Sequence, residues 1–186
     1  MKPWRVVAYH TDDELYNEQM LKLVASLILF NIDYSITCIP YLNDHRLTVQ
    51  QIPKAIKEEL NSTNDNLVYL DCDAVVRQYP VLFDTIEEDF AVHYKGGKEL
   101  LMGTMYFRNC PKTKLLIDNW IICEDKIKEK LSAQTSIPEA IAESGVSVNI
   151  LPAPYTLIFD SMKSQGPPVI EHFQASRKAK HPDKVL

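Results

Sequence analysis

The chain has 186 residues, 46% of them hydrophobic and 24% charged, an ordinary globular composition with enough length for one buried core. A net charge of −5 argues against nonspecific nucleic-acid binding. Four cysteines, Cys38, Cys72, Cys110 and Cys123, show no CxxC or Cys/His spacing, which excludes a zinc site of that kind and points to reduced thiols in a cytoplasmic protein.

Met1-Lys2-Pro3-Trp4 lacks the apolar core of a signal peptide, and Trp4 to Tyr9 reads as a first buried strand. Thr11-Asp12-Asp13-Glu14 has the form of a capping box, so a helix is predicted from there. Tyr16, Met20, Leu23, Val24, Leu27 and Phe30 then recur at helical spacing. The longest apolar stretch, Leu21 to Phe30, is interrupted by Lys22 and Ser26 and is too short to span a bilayer; no transmembrane segment is expected. Asp33 to Ile39 is a second strand ended by Pro40, and strand-helix-strand implies a right-handed parallel unit.

Tyr41 to Leu47 reads as a loop. Thr48-Val49-Gln50-Gln51 is a second capping box, predicting a helix to about Leu60 with Pro53 in its first turn. A turn cluster, Asn61 to Asn66, leads into the strand Leu67-Val68-Tyr69-Leu70. A helical turn over Pro80 to Phe83 and a strand over Phe90 to His93 follow. Gly96 and Gly97 mark a loop before a strand over Leu100 to Arg108, in which Gly103 permits close approach of a ligand. Pro111 opens a helix carrying Trp120, and Ser136-Ile137-Pro138-Glu139 caps another. Val146 to Leu151 is strand-like, Pro152 and Pro154 break it, and Val169-Ile170 is a last short apolar run. The basic end, Arg177 to Lys184, reads as a frayed terminus, and a flexible tail is expected over 174–186. The pattern is that of one α/β domain over 1–186 with a mostly parallel central sheet flanked by helices.

Chemistry concentrates where the central strand meets Asp71-Cys72-Asp73. Ligands of open α/β sheets bind at the carboxyl ends of strands. Two carboxylates there repel each other and lose hydration, so a cation between them is the natural relief. Hard oxygen ligands suit Mg²⁺ or Mn²⁺.

Tyr69-Leu70-Asp71-Cys72-Asp73-Ala74-Val75-Val76, followed by Tyr79-Pro80-Val81-Leu82-Phe83, resembles the DxD region of GT-A glycosyltransferases and is most similar to nucleotide-diphospho-sugar transferases near glycosyltransferase family 8. Tyr9-His10-Thr11 and Tyr16 resemble the first strand and loop that receive the nucleotide base. Leu101 to Asn109, with Gly103 and Thr104, is similar to the family's Ser/Gly-containing strand, and the helix ending in Trp120 follows it. Gln134 stands where family members carry Asp-Gln, although Ala133 precedes it here. Val169-Ile170-Glu171-His172-Phe173 resembles the terminal motif whose His is a third metal ligand. The Gly and Trp of that family tail are missing, and Ile52 occupies a position where related sequences often carry Lys.

The resemblance implies a GT-A fold and a metal-dependent transferase using a nucleoside-diphosphate sugar, with a UDP-sugar the expected donor and a saccharide or protein acceptor. It implies Mn²⁺ or Mg²⁺ on Asp71, Asp73 and His172; Tyr9, Thr11, Tyr16, Asp71, Arg177 and Lys178 around the nucleotide; and Gly103, Thr104 and Gln134 beside the reacting bond. Family 8 likeness would imply retention of anomeric configuration. Two other readings stand beside it. A haloacid-dehalogenase-type phosphatase would use Asp71 as nucleophile, but carries its Asp-x-Asp on the first strand, whereas two strands precede it here. A non-catalytic nucleotide-sugar-binding remnant would share the fold. A nucleotidyltransferase fits poorly, since no Gly-rich phosphate cradle follows Tyr9.

Overall fold

This computed structural model describes residues 3–126, 133–163 and 166–175, without the side chains of His45, Arg46, Lys126 and residues 133–135. The opening unit is the predicted one: β1 (Trp4–His10), α1 (Glu14–Leu29) and β2 (Tyr34–Cys38), with β1 and β2 parallel from Val6↔Tyr34 to His10↔Cys38. The helix cap lies two residues later than the capping-box reading. Asp13 Oδ1 accepts the Tyr16 amide at 3.0 Å, and the Thr11 hydroxyl instead donates to Asp13 Oδ2 at 2.6 Å. A charged acceptor already at the N-cap makes the Thr11 cap redundant.

Two further boundaries differ from expectation for a similar reason. The supposed loop contains a short helix, α2 (His45–Val49), and the Thr48 hydroxyl donates to the Asp44 carbonyl, so it does not cap α3 (Ile52–Ser62). Gln51 is the N-cap of α3 without a side-chain bond, and Pro53 sits in the first turn as expected. Later, α4 (Pro111–Lys126) is followed by α5 (Ala133–Ser144), with Pro138 inside it; Ser136 donates to the buried Glu124 carboxylate of α4 rather than capping a helix.

The remaining strands are β3 (Asn66–Leu70), β4 (Ala74–Val76), β5 (Phe90–Lys95), β6 (Glu99–Phe107), β7 (Val148–Ile150), β8 (Leu157–Ile158) and β9 (Ile170–His172), with 3-10 turns at Val81–Asp84 and Ala153–Thr156. The main sheet has the order β2-β1-β3-β6-β5-β7, and a small sheet has the order β4-β9-β8. In the main sheet β6 alone is antiparallel to its neighbours, so five of the six strands run one way. Gly96 and Gly97, at φ of 60° and 73°, make the tight turn between β5 and β6.

Strand β3 is buried along its whole length, and its alternating side chains build two core layers. Leu67 and Tyr69 join Ile56, Leu60, Met105 and Trp120 on the side of α3 and α4. Val68 and Leu70 join Leu23, Leu27, Phe83 and Tyr155 on the side of α1 and the small sheet. Helices thus cover both faces, as a largely parallel sheet requires.

One irregularity bears on function. Val92 pairs with Met105 but His93 pairs with Leu101, so residues 102–104 of β6 have no counterpart on β5. On its other side β6 stays in register with β3, through Leu70↔Thr104 and an Asp71 amide that donates to the Gly103 carbonyl at 2.9 Å. The bulged segment therefore carries Gly103 and Thr104 to the end of β3. At the far end of β5, Asp89 Oδ2 accepts the Ser147 amide at 3.0 Å and its hydroxyl at 2.9 Å. No helix among the described residues is long and apolar enough to cross a membrane.

Candidate metal centre

The chain leaves the end of β3 in a tight turn, Asp71 to Ala74, closed by an Ala74 amide donating to the Asp71 carbonyl at 2.9 Å. The turn throws both carboxylates beyond the sheet's carboxyl edge. Strand β9 then brings His172 alongside, pairing Ala74↔His172 and Val76↔Ile170. Among the described residues, Asp71, Asp73 and His172 form the one cluster of metal-ligating type, with one donor atom of each within 4.8 Å of the others. A single ion spans about twice a metal–ligand bond of ~2.0–2.6 Å, so the separation is of the right size.

Each ligand is fixed from behind. The Tyr69 hydroxyl donates to Asp71 Oδ1 at 2.7 Å, leaving Oδ2 toward the cluster. Asp73 Oδ2 accepts the Ala175 amide at 2.7 Å, and His172 Nε2 shares a 2.9 Å hydrogen bond with the Thr104 hydroxyl. What is left over is telling. Asp73 Oδ1 and His172 Nδ1 are buried, have no hydrogen-bond partner and lie 3.7 Å apart, too far to satisfy each other. If Nδ1 carried the proton it would be a buried donor without an acceptor. With Nε2–H donating to Thr104, Nδ1 instead presents a lone pair beside two carboxylates. Two orphaned acceptors beside a third ligand's carboxylate are costly unless a cation joins them.

Gly103 supplies the room. A Cβ at that position would stand 2.9 Å from His172 Cε1, 3.0 Å from Nδ1 and 3.2 Å from Asp71 Oδ2. Any side chain there would fill the space the three ligands surround. Two carboxylates and a neutral imidazole fit a hard divalent cation such as Mg²⁺ or Mn²⁺.

Electrostatics agree with concentrated negative charge. Burial, and then the Asp73 charge, push the Asp71 carboxyl above its ordinary range, against the opposing pull of His172 and of the Tyr69 hydrogen bond. The Cys72 thiol is raised by burial and by both carboxylates. Tyr16 is pushed up to about 12, by burial first and then by Cys72, Asp73, Asp13 and Asp71, so it stands within reach of the same charge.

The other sequence candidates divide. Thr11 is buried and bonded to Asp13. Tyr9 is 6% exposed and stacks on Tyr69 at a centroid distance of 6.1 Å, inside the α3-side core, with its buried hydroxyl unpartnered. Gln134 lies in the first turn of α5, but its side chain is outside the described residues, as are Arg177 and Lys178. Gln174 and Ala175, where the tail was expected to begin, are described, and Ala175 is anchored to Asp73.

Sequence reasoning missed two groups that hold these ligands. Tyr69 was visible in principle, because residues two apart on a strand share a face. The Ala175 amide gave no signal, since any residue supplies one. His93, at the carboxyl end of β5 with Nδ1 bonded to the Leu151 carbonyl at 2.8 Å, lies beside the bulged segment that carries Gly103.

No protein-family model matches the chain, and no curated protein sequence matches it. Solved structures do. A glycosyltransferase involved in the glycosylation of the major capsid of PBCV-1 superposes with a TM-score of 0.71 at 11% identity, over 98% of this chain and 100% of that one. The galactosyltransferase LgtC, solved with donor and acceptor sugar analogs, gives 0.60 at 11% identity, over 95% of this chain and 94% of that one. Apo GlyE of Streptococcus pneumoniae TIGR4 gives 0.62 at 13% identity over 93% of this chain, which spans only 54% of GlyE. The chain has the fold of these glycosyltransferases, the GT-A-like α/β architecture expected from its sequence.

Proposed function

We propose that this chain is a metal-dependent glycosyltransferase that moves a sugar from a nucleoside-diphosphate sugar to a saccharide or protein acceptor. The observation that carries the reading is the orphaned pair, Asp73 Oδ1 and His172 Nδ1, set with Asp71 at the carboxyl end of β3. Lewis-acid neutralisation of the departing diphosphate is the chemistry a divalent ion supplies when bound there. Asp71, Asp73 and His172 would hold that ion.

The chain's own residues supply the rest. Tyr69 locks one oxygen of Asp71, so the carboxylate divides its remaining reach between the ion and the donor ribose. Thr104 orients His172 and, with Gly103, forms the floor on which the sugar phosphate rests. Tyr9, Thr11 and Tyr16 are assigned to the side that receives the base, which we take to be uracil. Arg177 and Lys178 are assigned to the diphosphate, where each could donate charge-assisted hydrogen bonds. Gln134 is assigned to the acceptor side of the reacting carbon. The sequence likeness to family 8 supports retention of configuration, and four free cysteines support a cytoplasmic setting.

The test is thermal denaturation with nucleoside diphosphates and UDP-sugars, with and without Mn²⁺, followed by turnover of whichever donor stabilises the protein. A ligand at about 100 times its dissociation constant adds about 2.7 kcal/mol. Stabilisation that needs metal and nucleotide together, with slow release of free sugar, is expected. Binding without turnover under any acceptor would leave a nucleotide-sugar-binding remnant. Brisk phosphomonoester hydrolysis lost in Asp71→Asn would replace the proposal with a phosphatase.

A further inference from the structure

At the opposite end of the main sheet, where β1 and β3 begin, lies a cavity of about 410 Å³ whose lining includes Trp4, Tyr79, Asp84, Asn31 and Asp33. Trp4 starts β1 opposite Asn66, the first residue of β3, whereas the carboxylate cluster follows the last residue of β3. The cavity is therefore separate from the metal centre by the length of the strands.

Its lining is an aromatic platform with polar groups at the rim. Trp4 and Tyr79 face the cavity as a tilted pair, with ring centroids 6.2 Å apart and planes at 47°. Trp4 is held rigidly: Phe83 packs edge-on against it at 5.5 Å, and its indole N–H donates to Asp84 Oδ1 at 2.7 Å. The Tyr79 hydroxyl donates to that same oxygen at 3.2 Å. Asp84 Oδ2 thus keeps its acceptor capacity, and the exposed side chains of Asn31 and Asp33 make no hydrogen bond among the described residues. A network serving only to fasten the 3-10 turn to β1 would close over its aromatics, yet Tyr79 remains 40% exposed.

An apolar ring face bordered by one fixed carboxylate, Asp84, and by the exposed acceptors of Asn31 and Asp33 matches one ligand chemistry well. A pyranose offers an apolar C–H face to stack and equatorial hydroxyls to donate at its edge. We infer that the Trp4–Tyr79 cavity is a second, metal-independent saccharide-binding site, taking one neutral sugar residue of a glycan. This goes beyond the proposed transfer reaction and stands or falls without it.

Trp4 is itself the reporter. The chain has two tryptophans, and Trp120 is 1% exposed in the core. In EDTA, neutral monosaccharides and oligosaccharides are titrated while tryptophan emission is followed, with choline and lysine as cationic controls. Isothermal calorimetry on the same panel gives a second readout. A saturable change is expected with saccharide only, absent in Trp4→Phe, and the affinity should fall by about tenfold or more in Tyr79→Ala and Asp33→Asn. Tyr79 and Asp33 are exposed, so these variants should keep the parent melting curve. If oligosaccharides bind and monosaccharides do not, the site reads a chain and still takes a sugar. No saccharide response by either method, a response unchanged in Tyr79→Ala, or a response to the cations alone overturns the inference.

Discussion

The two oxygens of Asp73 stand apart, Oδ2 accepting the Ala175 amide and Oδ1 having no hydrogen-bond partner, and a single substitution separates them. In Asp73→Asn the side-chain oxygen can still accept the Ala175 amide, so the fold should survive while the ligand charge is gone. Isothermal titration with Mn²⁺ and UDP is expected to show no metal-dependent binding; unchanged affinity would remove Asp73 from the centre. Gly103→Ala tests the same space from the other side. Its Cβ would meet the His172 ring at 2.9 Å with backbone paired on β3, so the ring must yield. Loss of metal affinity by about tenfold or more is expected, with a stability cost of about 1–3 kcal/mol. A variant that binds Mn²⁺ as the parent does would show that the ion, if any, sits elsewhere.

At the scale of elements, the joint between β5 and β7 depends on Asp89. Burial raises its pKa, but bonds from the Ser147 amide and hydroxyl, then Cys110 and Lys112, outweigh that and leave it below the ordinary carboxylate value. A depressed folded-state pKa stabilises the protein above the unfolded value of about 3.9, and that contribution is lost as pH falls through the folded value. Asp89→Ala should therefore cost about 2 kcal/mol in urea melts at neutral pH and progressively less as pH falls through the lowered folded-state value; a cost that does not fall with pH would refute the linkage. This joint also shows what a sequence conceals. Long apolar runs such as Trp4 to Tyr9 and Leu67 to Leu70 announced their strands, and Asp71 and Asp73 were legible because their meaning is local. Thr48 and Ser136 misled because hydroxyls capable of capping found other acceptors, Asp44 and Glu124. Strand β4 escaped notice because three residues carry no periodicity, and its partner β9 comes nearly a hundred positions later. The hydrogen bond between His172 and Thr104, 68 residues apart, follows from register alone.

At the scale of the whole molecule, the candidate metal centre joins two sheets. Asp71, Gly103 and Thr104 belong to the end of the main sheet, whereas Asp73 and His172 border the small one. Chelation of a bound ion should therefore speed amide exchange in β4 and β9 and leave β1 and β2 as they were. Uniform change, or none, would mean the ion does not bridge the sheets. The other border of the main sheet has a different consequence. The Val6 amide donates to the Asp33 carbonyl and the Ile39 amide to the His10 carbonyl, so odd-numbered residues of β2 face β1. The backbone groups of Tyr34, Ile36 and Cys38 then point away from the sheet, on a strand, Tyr-Ser-Ile-Thr-Cys, that holds neither charge nor proline. Such an edge is a template for any extended chain, and crowding or heat should make these molecules adhere to one another there. Cys38 is exposed, and Cys38→Lys should raise the concentration at which light scattering appears without shifting the melting temperature. Scattering that sets in at the same concentration would locate the adhesive surface elsewhere.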